Sequence, residues 1–263
     1  MKIVFIGSGN MGCAMMRGMV TSGKVAPADL IATAAHGSHF AELQALGIET
    51  TTDNRAAAEQ ADVLFLAVKP QFYAETIREI RDAVKENTIV VSIAPGKTLD
   101  WLTQQFGRSV KLVRTMPNTP AMVGEGMMGI CPAATVTEEE LQAVCELCSG
   151  FSRTEIVTEN LMDVVVSVSG SAPAYVFMFI EAMADAAVAD GMPRKSAYKF
   201  AAQAVLGSAK MVLETGMHPG ELKDMVCSPG GTTIEAVRVL EEKGMRSAVI
   251  EAMKACTKKS RDM

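Results

Sequence analysis

A chain of 263 residues with 49% hydrophobic and 21% charged side chains and a mean hydropathy of +0.19 is long enough for two domains and too apolar for a disordered polymer. A formal charge of −5, with clustered cations confined to the short tail of Lys258, Lys259 and Arg261, excludes an electrostatic footprint for nucleic acid. Six cysteines scattered through apolar or helical surroundings suit a reduced, cytoplasmic interior, and the most apolar stretches, 164–168 and 174–180, are interrupted by Ser, Gly and Pro, so no membrane span is expected.

The first residues place one lysine before an apolar run ending in glycines, without the long apolar core or small-residue cleavage site of a signal peptide, and fit a first strand. β-branched runs at 2–6, 30–33, 62–68, 88–94 and 111–114 alternate with helical patterns, which predicts a parallel, doubly wound sheet with helices on both faces. The runs at 63–68 and 89–93 are apolar without alternation and belong at the centre of that sheet. Residues 127–131 and 154–157 read as further strands, and Thr137 with Glu140 forms a capping box for a helix ending near Gly150.

Beyond residue 158 strand signals stop. The expected organisation is therefore a Rossmann-like α/β domain over 1–158 and an all-helical domain over 159–263, with about five helices punctuated at Pro173, Gly191, Gly216, Pro219 and Gly230. The segment 174–189 is apolar almost all round, so it requires burial by a second copy of the chain; an obligate homodimer follows.

Gly7, Gly9 and Gly12 form G-x-G-x-x-G between a strand and a helix, where the tight turn, close backbone approach and helix N-terminus suit a dinucleotide pyrophosphate. Ile6, Ser8, Asn10 and Met11 complete that turn. No carboxylate follows Thr33, where Ala34, Ala35, His36 and Gly37 stand, so nothing repels a 2′-phosphate: NADP(H) is favoured, with NAD(H) also accommodated. Thr33, His36 or Ser38 are candidate phosphate donors, and Asn54 either caps a helix or contacts adenosine. Ala67, Val68, Lys69 and Pro70, and Ile93, Ala94 and Pro95, leave strands at the edge where such sheets bind ligands. Cys145 and Cys148 form C-x-x-C inside a helical pattern with no second pair, and read as packing.

The segments 114–120, 169–175 and 228–233, with 218–224 ahead of the last, together resemble the pyrroline-5-carboxylate reductases over essentially the whole chain. The resemblance implies reduction of 1-pyrroline-5-carboxylate to L-proline with NAD(P)H, and a dimer of intertwined helical domains that closes into a higher ring such as a decamer. It also implies that Gly230, Gly231, Thr232 and Thr233 hold the substrate carboxylate, and that Glu159 approaches the ring nitrogen. Independently, Pro-Gly-Gly-Thr-Thr leading into a helix at 234–242 supplies amides, a hydroxyl N-cap and a positive dipole end, a carboxylate trap. Thr233 is the expected catalytic partner of the substrate nitrogen; His36, His39 and His218 stand in no acid–base arrangement and are expected to be non-catalytic. Two other readings compete: a hydroxyacid dehydrogenase of the same two-domain plan, whose Lys and Asn four apart are missing after residue 175, and a non-catalytic NADP(H) sensor that has kept the fold.

Overall fold

The computed structural model describes residues 1–37 and 39–262; Ser38, a candidate phosphate donor, lies outside the described residues. The strands are β1 (Ile3–Ile6), β2 (Leu30–Thr33), β3 (Glu49–Thr51), β4 (Val63–Leu66), β5 (Ile89–Ser92), β6 (Lys111–Met116), β7 (Gly126–Pro132) and β8 (Ser152–Ile156). Helices α1 (Asn10–Thr21), α2 (Phe40–Ala45), α3 (Asn54–Ala58), α4 (Tyr73–Ile80), α5 (Leu99–Phe106) and α6 (Glu138–Cys148) connect them.

All eight strands join one sheet in the order β3-β2-β1-β4-β5-β6-β7-β8. Pairing is parallel from β3 to β6, antiparallel between β6 and β7, and parallel again between β7 and β8. The antiparallel pair departs from the all-parallel expectation. Its cause is the short link from β6 to β7, one 3-10 turn over Thr119–Val123, too short to cross over the sheet. Strand β3 escaped sequence reading because it is three residues of Glu and Thr at the sheet's edge, without an apolar run.

Strands β1, β4 and β5 are buried on both faces, as continuous apolar runs require. Phe5 and Phe65 stack across β1 and β4 at 4.5 Å between ring centroids. One core packs α1 and α6 against one face, and a second packs α3, α4 and α5 against the other. The capping box forms as expected, Thr137 accepting from Glu140 N–H and Glu140 accepting from Thr137 N–H.

Contacts group Met1–Ser171 and the chain's return from Cys256 into one unit and Ala172–Ala255 into another. The first unit thus runs beyond residue 158. Helix α7 (Met162–Val165) and a π-helical turn over Val166–Gly170 pack on the sheet, with Val165 against Gly129 and Met116 against Gly170. The second unit holds α8 (Ala172–Ala189), α9 (Arg194–Thr215), α10 (Pro219–Val226), α11 (Thr232–Glu242) and most of α12 (Met245–Arg261). The last turns of α12 belong to the first unit, where Thr257 bonds Ser167, Ser260 bonds Asp163 and Cys256 bonds Ser171.

Gly170 and Pro173 punctuate the helical path as expected: the π turn ends at Gly170, Ser171 is a bend, and α8 starts at Ala172. Residues 159–189 form a stretch that by length and composition is long and apolar enough to cross a membrane. The π turn absorbs the irregularity, and Pro173 sits in the first turn of α8, where its missing N–H costs no helical bond. Phe177, Met178 and Phe200 remain exposed, at 63%, 69% and 68%. A second protein surface or an apolar phase must cover them.

Candidate active site

The candidate nucleotide-site residues lie at the carboxyl ends of the strands, around the point between β1 and β4 where the strand order reverses. Ile6 ends β1, Gly7 and Ser8 form the turn, Gly9 is the N-cap of α1, and Asn10, Met11 and Gly12 make its first turn. Gly7 has φ +104°, and a Cβ there would lie 2.8 Å from the backbone of Ala67 and Val68, so the position admits only glycine. At Gly9 a Cβ would meet nothing within 4 Å: the space over the first amides of α1 is open. No acidic residue stands in that first turn, so the positive end of the helix is uncompensated. An open cradle of amides without a competing carboxylate fits a dinucleotide pyrophosphate.

Thr33 ends β2 fully buried. Its hydroxyl accepts from Gly7 N–H at 3.3 Å and donates to Asn54 Oδ1 at 2.6 Å, while Asn54 Nδ2 donates to Glu79 at 2.9 Å. Thr33 therefore fastens the glycine turn to Asn54 instead of presenting a free donor. Asn54 does not cap its helix: Asp53 does, accepting from Ala56 N–H at 2.9 Å. Ala34 and His36 lie in the turn after β2, with His36 exposed.

Ala67, Val68, Lys69 and Pro70 leave β4, and Ile93, Ala94 and Pro95 leave β5, on the same edge. Sequence reasoning missed Tyr73, a fully buried phenol whose O–H donates to Leu66 O at 2.5 Å and accepts from Ile93 N–H at 3.2 Å. Burial pushes its pKa up to about 12, so it stays protonated. Nothing local in the sequence marks it, because both partners are strand ends distant in the chain.

Glu159 lies at a short 3-10 turn in the first unit. Its Oε1 accepts from Leu99 N–H, the first amide of α5, at 2.7 Å, and from Arg114 Nη1 at 3.0 Å. Arg114 is 4% exposed, so Glu159 balances a buried guanidinium. Arg114 carried the family resemblance, but its acidic partner was hidden by sequence separation.

In the second unit, Gly230 (φ +67°) and Gly231 turn the chain into α11. A Cβ on Gly231 would collide with Ser228 Oγ. The helix begins at Thr232, two residues before the expected start, with Gly231 as N-cap and no side-chain cap. Thr232 and Thr233 are thus first-turn residues whose amides, like that of Ile234, point out of the helix end. The donors at this helix end are backbone amides with threonine hydroxyls in the same turn, not a hydroxyl cap.

His218 is structural: as N-cap of α10 its Nδ1 accepts from Gly220 N–H at 3.0 Å. Cys148 is fully buried and desolvation raises its pKa well above that of an ordinary thiol, while burial also raises Cys145, so neither is a ready thiolate. No metal-binding cluster occurs among the described residues.

Comparison with known proteins places this architecture in a family context. Residues 159–263 match the description "Pyrroline-5-carboxylate reductase dimerisation", and residues 2–96 match "NADP oxidoreductase coenzyme F420-dependent". The chain is 54% identical over 260 residues to the pyrroline-5-carboxylate reductase of Escherichia coli, covering 98% of this chain and 97% of that one. A pyrroline-5-carboxylate reductase structure from Coxiella burnetii superposes with TM-score 0.93 at 33% identity, over 99% of this chain and 97% of the other. The Plasmodium falciparum pyrroline carboxylate reductase with NADP bound superposes with TM-score 0.90 at 28% identity, with the same coverage.

Proposed function

This chain belongs to the pyrroline-5-carboxylate reductase family, and on that premise we propose how its two regions divide the reduction of 1-pyrroline-5-carboxylate to L-proline. It is an NAD(P)H-dependent oxidoreductase of proline biosynthesis. The bound cofactor supplies the hydride to the C=N carbon. Ile6, Gly7, Ser8, Gly9, Asn10, Met11 and Gly12 hold the pyrophosphate. Asn54, Ala34 and His36 face the adenosine ribose, with Thr33 bracing the turn behind them. Residues 67–70 and 93–95 border the nicotinamide half.

The turn at 230–233 takes the substrate carboxylate on the amides of the α11 N-terminus, and this is the observation that carries the reading. Thr233 hydrogen-bonds the ring nitrogen as it changes from iminium to amine. An imine that arrives protonated needs position and one hydrogen-bonding group, not a separate strong acid. Glu159 is assigned to the scaffold, since its Oε1 already serves Arg114 and the α5 amide.

For function the chain divides into a cofactor part, 1–158, and a dimerisation and substrate part, 159–263. The apolar face of α8 and α9 is covered by a second copy, giving a homodimer that closes into a ring such as a decamer in the cytoplasm. NADPH oxidation, followed by its near-ultraviolet absorbance with and without the cyclic imine, tests the assignment. Turnover is expected only with the imine and to favour NADPH over NADH; cofactor binding without turnover would leave a sensor.

A further inference from the structure

The exits of β4 and β5 share one buried oxygen. The two strands run in parallel with Leu66 opposite Ser92 as their last pair, and Ile89 N–H donates to Asp62 O at the start of the ladder. Continuing that pattern two residues at a time brings Ile93 N–H towards Leu66 O. The rung runs instead through the Tyr73 phenol, which accepts from Ile93 N–H at 3.2 Å and donates to Leu66 O at 2.5 Å, with Ser92 Oγ 3.4 Å away. An inserted oxygen holds the strand ends further apart than a direct bond would. The segment that leaves β5 is also fixed at its far end, where Leu99 N–H meets the carboxylate of Glu159.

We propose that Tyr73 is a positioning residue for the cofactor: its phenol sets the spacing of the two strand exits that flank the nicotinamide half of the site, so that the cofactor meets a preformed crevice. This rests on the reading that residues 67–70 and 93–95 touch the cofactor. The side chain itself contacts neither cofactor nor substrate. It acts through the backbone of Leu66 and Ile93, whose positions determine where the following residues stand.

The same two strands provide a matched control. At their amino ends Thr88, 1% exposed, donates from Oγ1 to Ala61 O at 2.8 Å. Tyr73→Phe and Thr88→Val each delete one buried hydroxyl from the same strand pair, one at the ligand edge and one at the opposite edge. Both are expected to lower the melting temperature by a few degrees. Only Tyr73→Phe is expected to raise the KM for NADPH, by about five- to tenfold, with kcat at saturating NADPH within about twofold of wild type. Hydrogen exchange over residues 93–99 should quicken in Tyr73→Phe alone, and NADPH should slow exchange over 67–70 and 93–98 in the wild type.

A Tyr73→Phe enzyme with wild-type KM, in a protein whose 93–98 segment is protected by NADPH, overturns the role of Tyr73 and leaves the cofactor reading intact. An equal rise in KM for Thr88→Val reduces the effect to general destabilisation and overturns it as well. If NADPH protects neither exit in the wild type, the cofactor reading itself has failed and the inference falls with it.

Discussion

The sheet and the helices from Ala172 onward treat their large side chains in opposite ways. At the sheet, Phe5, Phe65 and Tyr73 are fully buried, and polar groups there, such as Thr33 and Arg114, have partners within the same unit. In the helical unit Phe177, Met178, Phe200 and Leu213 are exposed, and the buried hydrophobic residues described there are alanines: Ala184, Ala197 and Ala201. One region brings its own core; the other brings surface for a core that a second copy completes. The cofactor half can therefore be organised within one chain, while the helical half depends on association.

That contrast breaks most visibly at the helical surface. Phe177→Asp combined with Phe200→Asp should abolish the oligomer and, with it, activity. Each Phe stands for about 1.5–3 kcal/mol of burial, and a symmetric pair counts it twice. Light scattering after gel filtration checks this, and a stable, active monomer would contradict the comparison. Next in size is Thr233→Ala, expected to lower kcat about tenfold or more while the fold and oligomer persist, read by steady-state kinetics.

The sheet region should respond through stability. Arg114→Met removes the guanidinium from the one-third-exposed Glu159, and the loss is expected at about 2 kcal/mol once solvent access to the carboxylate is discounted. Calorimetry should show the melting temperature falling by roughly 4–8 °C. The smallest effect is at Asp62. The Lys2 amide, bonded at 2.8 Å, holds its carboxyl below the usual range; burial opposes it, and Lys85 adds to the lowering. A depressed folded pKa gives stability that is present above the unfolded value of about 3.9 and is lost as pH falls through the folded one. Asp62→Asn should flatten that acid slope slightly, as seen in denaturant midpoints measured from neutral pH down to about pH 3.

The legible parts of this molecule were the local ones. Strands at β1, β2, β4 and β5 announced themselves as apolar runs, the glycine turn by its place between strand and helix, and the box at Thr137 and Glu140 by spacing alone. What stayed hidden depends on residues far apart in sequence: the phenol between Leu66 and Ile93, and the carboxylate between Arg114 and Leu99. At α11 the expected hydroxyl cap is absent, and at α3 the structure removes one of the two roles open to Asn54. Asp53 competes with Asn54 for the same role, and Gly231 serves as cap without any side chain, so the threonines move inside the helix. Composition predicts the need for a second copy, because an apolar helix must be covered, but not that residues 159–189 together are long and apolar enough to cross a membrane.

The return of α12 to the first unit bears on how the chain is made. Asp163, Ser167 and Ser171 leave the ribosome early, whereas their partners Ser260, Thr257 and Cys256 follow 97, 90 and 85 residues later. Vectorial synthesis can thus lay down the residues of the sheet first, while the side-chain bonds that fasten the π turn and its flanks wait for α12. Closing so long a loop is slow compared with local helix formation. During that interval a nascent chain would carry the sheet with these three hydrogen bonds still unmade.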